Sequence, residues 1–160
     1  MPSVKSNMNL FWFSGLIIVL DQLTKYIAET SLDYRVPVNM FTGLNMTLVY
    51  NKGAAFSFLS DAGGWQRWFF MALSITISIA LIYWLRSVDR NRKYLAWGLA
   101  LILGGAIGNL IDRSLYGHVI DFIDVYYSSW HWPAFNIADS AITLGAGLLI
   151  LDMFTYKETG

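Results

Sequence analysis

The stretch "FNIADSAITLGAGLLIL", residues 135–151, reads as a membrane span and decides the fold. It is apolar almost throughout, yet Asn136 and Asp139 stand at its start. A carboxylate at the centre of a bilayer costs about 2.5–3.5 kcal/mol on insertion scales, so Asp139 needs a reason to be there. The 160-residue chain around it is 56% hydrophobic and 14% charged, whereas soluble domains average about 25% charged. Crossing the hydrocarbon takes about 20 mostly apolar residues. Four stretches come close: 10–28, 68–85, 94–112 and 135–154. They fill most of the chain, which is expected to be one integral membrane domain, 1–160, of the all-α class. In the first, the apolar run leads into Asp21 and Lys25 with no small-x-small cleavage pattern, so it reads as a retained helix.

Eleven basic residues balance eleven acidic ones without a long basic run, which argues against a nucleic-acid partner. There is no cysteine, so disulfides, thiolate metal sites and Cys nucleophiles are excluded. Lys and Arg concentrate on the cytoplasmic side of membrane proteins. The loop "RSVDRNRK", 86–93, carries Arg86, Arg90, Arg92 and Lys93 and is therefore expected inside. Both termini, with Lys5 and Lys157, then lie in the cytoplasm, and loops 29–67 and 114–134 face outward. Within the first of these, "LNMTLVYN", 44–51, alternates as a strand does, which predicts a small strand-containing periplasmic cap. Trp65, Trp68, Trp130 and Trp132 fall at the outer boundaries, where interfacial aromatics gather. Gly104-xxx-Gly108 predicts close helix packing.

The polar residues of the spans share one depth. Asp21 and Lys25, then Asn109, Asp112 and Arg113, then Asn136 and Asp139 all lie toward the outer side, although successive helices run in opposite directions. Each group repeats at helical spacing and so makes one polar face. Intramembrane ionisable residues usually face the bundle interior and mark a functional site; a ring of structural ion pairs is the plain alternative. Asp152, near the inner end of the last span, is expected to reach interfacial water.

Asp21 has Lys25 one turn away and Asp112 adjoins Arg113, which suits anchoring. Asp139 has no cation within four residues, and neither do Asp121 and Asp124 in "VIDFIDV", 119–125, read as the apolar part of the second outer loop or an interfacial turn. Two partly desolvated carboxylates share one proton, so one can activate water while the other serves as acid, with no metal or cofactor. Asp139 with Asp121 or Asp124 is the candidate dyad. Only two histidines occur, His118 and His131, and neither H-E-x-x-H nor G-x-S-x-G appears. Ser57, Ser60, Ser74, Ser128 and Ser140 are scattered, and a Ser–Lys dyad through Lys52 is the weakest option. From these residues alone, a small transporter or channel subunit using the polar ring as its site ranks beside a protease. A structural scaffold would tolerate Asn for these Asp residues.

Five motifs in order, "DQLTK" (21–25), "NKGAAFS" (51–57), "GGAIGNLIDR" (104–113), "VIDFIDV" (119–125) and "FNIADSAI" (135–142), make the chain resemble the lipoprotein signal peptidases, the type II signal peptidases of bacteria. That resemblance implies an intramembrane aspartyl endopeptidase of the inner membrane, active near its periplasmic face. Such enzymes remove the signal peptide of a prolipoprotein by cutting before a cysteine that carries diacylglycerol. It also implies Asp121 and Asp139 as the catalytic pair. Asn51, Asn109, Asp112, Arg113, Asn136, Asp21 and Lys25 then line or order the site. The partners implied are lipidated prolipoproteins, membrane lipid and cyclic peptide inhibitors of the globomycin type.

Overall fold

A computed structural model describes residues 8–53, 64–89 and 91–156. Lys5, Ser57, Ser60, Arg90, Lys157 and the "AAFS" part of the second motif lie outside the described residues. Among the described residues, four helices are long and apolar enough to cross a membrane: α1 (Asn9–Ser31), α2 (Trp65–Ser87), α3 (Lys93–Leu115) and α4 (Ile137–Thr155). At 1.5 Å per residue they run about 28–35 Å, matching a hydrocarbon core of about 30 Å. They are joined by a small antiparallel sheet in the order β1 (Val38–Phe41), β2 (Leu44–Asn51), β3 (Val119–Tyr127) and β4 (Trp130–His131). The architecture of four helices with a strand-containing cap is as expected from the sequence.

The central helix is α3, which packs against all three others. Small residues let it do so. Gly104 meets the Ser14 carbonyl and Ile17 of α1, and Gly108 meets the Asp21 carboxylate, so the Gly104-xxx-Gly108 pair serves packing within the chain. One residue round the helix, Gly105 faces the Ala138 carbonyl of α4. The apolar core gathers Leu81 and Leu85 of α2 with Leu95, Leu99 and Leu103 of α3 and Leu10 of α1.

Two expectations need correction. "VIDFIDV" is neither loop nor turn but most of β3, paired with β2 on one side and β4 on the other. Val119 to Phe122 are all buried, so the strand lacks the polar–apolar alternation of a half-exposed one. Asp152 does not reach water. It is 2% exposed, accepts from Nε of Arg92 at 2.9 Å and from its Nη2, and takes the backbone amide of Leu95 at 3.2 Å. It thus satisfies one of the open amides in the first turn of α3 from a neighbouring helix.

Candidate active site

The site forms where the N-terminus of α4 meets β3 and the last turns of α3. After β4 the chain returns beside β3, with the Trp132 amide donating to Val125 O at 2.8 Å and the Phe135 amide to Ile123 O at 3.1 Å. This brings Asn136 to the start of α4 as its N-cap, where its Oδ1 accepts from the Asp139 amide at 2.9 Å. The Ala138 amide donates to Asp21 Oδ1 at 2.8 Å. Two of the open amides of α4 are therefore bonded, and the Asp139 carboxylate sits in the first turn, where the helix dipole favours negative charge. An N-terminal helix turn beside a sheet is a far less costly place for a carboxylate than mid-bilayer.

Asp121 comes from β3, opposite Val49 of β2. Asn51 pairs with Val119, two residues away on the same face, so its Nδ2 reaches diagonally to Asp121 Oδ2 at 3.2 Å. Asn136 donates to Asp121 Oδ1 at 2.7 Å and to Asn109 Oδ1 at 3.3 Å. Asn109 in turn donates to Asp139 Oδ1 at 2.8 Å. Two asparagines thus bridge the two carboxylates. Asp121 is only 2% exposed, and burial, reinforced by the charge of Asp139, pushes its pKa up to about 7. The bonds from Asn51 and Asn136 and the charge of Lys25 oppose that rise without cancelling it.

Asp124 lies three residues on and so faces the other side of the strand. There it meets His131 Nδ1 at 2.7 Å and accepts from Asn45 and Thr47, each at 3.2 Å. Burial alone would raise its pKa, but these bonds outweigh burial and hold it below the usual carboxylate range. It is not brought to Asp139.

A cleft of about 660 Å³ opens beside Asp139. Asn51, Asn109 and Arg113 give it polar groups, while Trp132 to Phe135, Ile142 and Leu144 give apolar walls. Arg113 reaches the Gly53 carbonyl at 2.9 Å and stacks over Phe70, 5.2 Å from its ring centre. Asp112 is paired instead with Lys25, at 2.7 Å. Of the residues singled out in the sequence, Asn51, Asn109, Arg113, Asn136, Asp121 and Asp139 meet around the cleft and its bridge. Asp21, Lys25 and Asp112 form a buried ion cluster next to it. Sequence reasoning missed Gln22, which bonds to both carboxylates of that cluster; its place three residues before Lys25, on the same helix face, was the available signal. It also missed the strap 132–135 as a cleft wall.

Comparison with known proteins gives the family of the chain. A family model described as signal peptidase (SPase) II matches residues 13–155. The chain belongs to the signal peptidase II family. It is 58% identical over 152 residues to a lipoprotein signal peptidase of Acinetobacter baumannii, covering 94% of this chain and 86% of that one. It is 53% identical over 151 residues to one of Pseudomonas fluorescens, covering 93% and 89%. A bacterial membrane enzyme solved by the in meso method at 2.3 Å superposes with a TM-score of 0.84 at 33% identity, covering 96% of this chain and 94% of that chain. Family membership and the four apolar helices make this a membrane-embedded, multi-pass peptidase.

Proposed function

We propose that the chain is an aspartyl endopeptidase that removes the signal peptide of diacylglyceryl-modified prolipoproteins, with Asp121 and Asp139 as its dyad. The observation that carries this reading is the Asn136–Asn109 bridge, which joins a buried carboxylate to one at a cleft. With a pKa near 7, Asp121 can hold a proton while its partner is ionised. The ionised carboxylate takes a proton from water, whose oxygen attacks the scissile carbonyl carbon. The protonated carboxyl donates to the carbonyl oxygen. When the tetrahedral intermediate collapses, the C–N bond breaks and the leaving nitrogen takes up a proton, freeing the amino group of the lipidated cysteine. Which Asp begins as base belongs to the coupled pair rather than to either residue. Asn51, Asn109 and Asn136 hold the carboxylates in place, and Arg113 can orient the substrate along the cleft.

The substrate follows from the setting. A signal helix and diacylglyceryl chains both lie in lipid, and a site at the end of a four-helix bundle meets the bond that joins them. Arg86 in the last turn of α2, Arg92 just before α3 and Lys93 at its start lie at the end of the bundle away from Asp139, and basic turns of this kind stay in the cytoplasm. We therefore read both termini as cytoplasmic and the site as near the periplasmic face of the inner membrane. The apolar walls of the cleft also suit membrane lipid and cyclic peptide inhibitors of the globomycin type.

The test is to incubate purified protein in detergent with a diacylglyceryl-modified prolipoprotein and weigh both products by mass spectrometry. A lipid-bearing product that begins at the modified cysteine is expected. Asp139→Asn, matched for elution and thermal stability, should lose about 10²- to 10⁴-fold in rate. A cut elsewhere, or a wild-type rate in the variant, would overturn the reading.

A further inference from the structure

Beside the dyad, a heavily bonded polar cluster lies between α1 and α3. Lys25 is 1% exposed and its three protons are all placed: on Asp21 Oδ2 at 2.8 Å, Asp112 Oδ2 at 2.7 Å and Asn109 Oδ1 at 3.0 Å. The two carboxylates also reach outward. Asp21 Oδ1 holds the amide of Ala138, the residue before Asp139, at 2.8 Å. Asp112 Oδ2 holds the amide of Ile120, the residue before Asp121, at 3.1 Å. Each therefore fixes the backbone one residue ahead of a dyad member, and Lys25 ties the two together.

Two buried carboxylates and one ammonium leave one negative charge in excess, which is costly without further donors. Gln22 supplies one. Its Nε2 donates to Asp112 Oδ1 at 2.8 Å and to the Gly108 carbonyl at 3.2 Å, and lies 3.3 Å from Asp21 Oδ2. It meets the one oxygen of Asp112 that neither Lys25 nor Ile120 occupies. Gln22 does not line the cleft, so any effect on the reaction passes through the cluster.

We propose that Gln22 is a positioning residue which, by completing the Asp21–Lys25–Asp112 brace, sets the separation of the segments carrying Asp121 and Asp139. The proposal rests on the aspartyl reading above.

The test compares wild type, Gln22→Met and Gln22→Glu in cleavage of a diacylglyceryl-modified prolipoprotein across pH. Methionine keeps the length and loses the donor. Its kcat should fall about 10- to 100-fold, as misplacement of reacting groups does, with KM held within about two-fold. Its bell-shaped kcat profile should narrow, because carboxyls held apart couple less. The other charged groups around the dyad, Lys25, Arg113, Asp21 and Asp112, are unchanged in this variant. Glutamate can donate only when protonated, so its kcat relative to wild type should recover as the pH falls. A Gln22 that merely stabilises the fold would lower the melting temperature and leave kcat per folded molecule and the width of the profile unaltered, which overturns the proposal. If Gln22→Met does not elute as folded protein, Gln22→Glu decides alone, and the absence of recovery at low pH overturns it. A wild-type profile lacking two limbs would instead bring down the aspartyl reading, and this proposal with it.

Discussion

Gly105→Ala adds one methyl group where α3 crosses α4. The new Cβ would stand 2.4 Å from the Ala138 carbonyl oxygen and 2.8 Å from Ile142 Cγ1, where ordinary contact begins at 3.4 Å. The Ile142 side chain can turn aside, but a carbonyl in the first turn of a helix cannot. The two helices must part by about 1 Å, and the displaced backbone is the residue before Asp139. Asp121 stays with β3 and Asn51, so the shift falls on the spacing between the two carboxylates. A misplacement of that size can cost about 100-fold in rate. Overpacking of this kind costs about 1–3 kcal/mol in stability. The assay is kcat for a lipidated prolipoprotein in detergent, taken well below the variant's melting temperature. Gly147→Ala, on α4 with nothing within 4 Å, is the control and should change the rate by no more than about two-fold. A Gly105→Ala enzyme with wild-type kcat would show that the α3–α4 contact does not hold Asp139 in place.

Three further outcomes follow from the same geometry. Asp121 is raised from 3.8 to about 7, so the folded protein keeps a proton that the unfolded chain has lost; stability is full below 3.8 and falls as the pH rises through about 7. Melting temperatures of Asp121→Asn relative to wild type should therefore climb from acid to mildly alkaline pH, and a flat difference would argue against that raised pKa. Asp124→Asn, on the far face of β3, should keep kcat within about three-fold while costing about 1–2 kcal/mol, because one amide oxygen can still accept from Asn45 and Thr47 but the carboxylate oxygen facing His131 is lost; a loss of activity like that of the dyad variants would mean Asp124 takes part. Arg92→Ala leaves Asp152 buried without its cation and should cost on the order of 2 kcal/mol, less than a fully buried pair because the arginine keeps 31% exposure. Thermal unfolding reads that loss, with kcat unchanged at the distant site.

The helices were legible because about 20 apolar residues in a row have few other uses. The shared depth of Asn109, Asp112, Asn136 and Asp139 was legible too, since helical spacing converts to height along a span. β3 was not, because a strand buried over "VIDF" carries no period-2 signal, and its two carboxylates suggested a loop near water. Had it been read as a strand, the odd spacing of Asp121 and Asp124 would have put them on opposite faces. Asp152 was misjudged for a different reason: its partner Arg92 is 60 residues away, and no local pattern reports a contact of that range. The Asp21–Lys25 pair was visible as an i,i+4 spacing. Its extension to Asp112, Ala138 and Gln22 depends on how α1 and α4 settle on α3, which is a matter of which glycine faces which helix.

The dyad itself is tested most directly by a double-mutant cycle on cleavage of the lipidated substrate. Asp121→Asn and Asp139→Asn are each compared with the double variant, all matched for elution and melting. Groups that act as one unit are strongly non-additive. Each single change should cost about 10²- to 10⁴-fold, and the double variant should be no slower than the slower single. Losses that multiply in the double variant, or a single variant with near-normal turnover, would mean that Asp121 and Asp139 do not work as a pair.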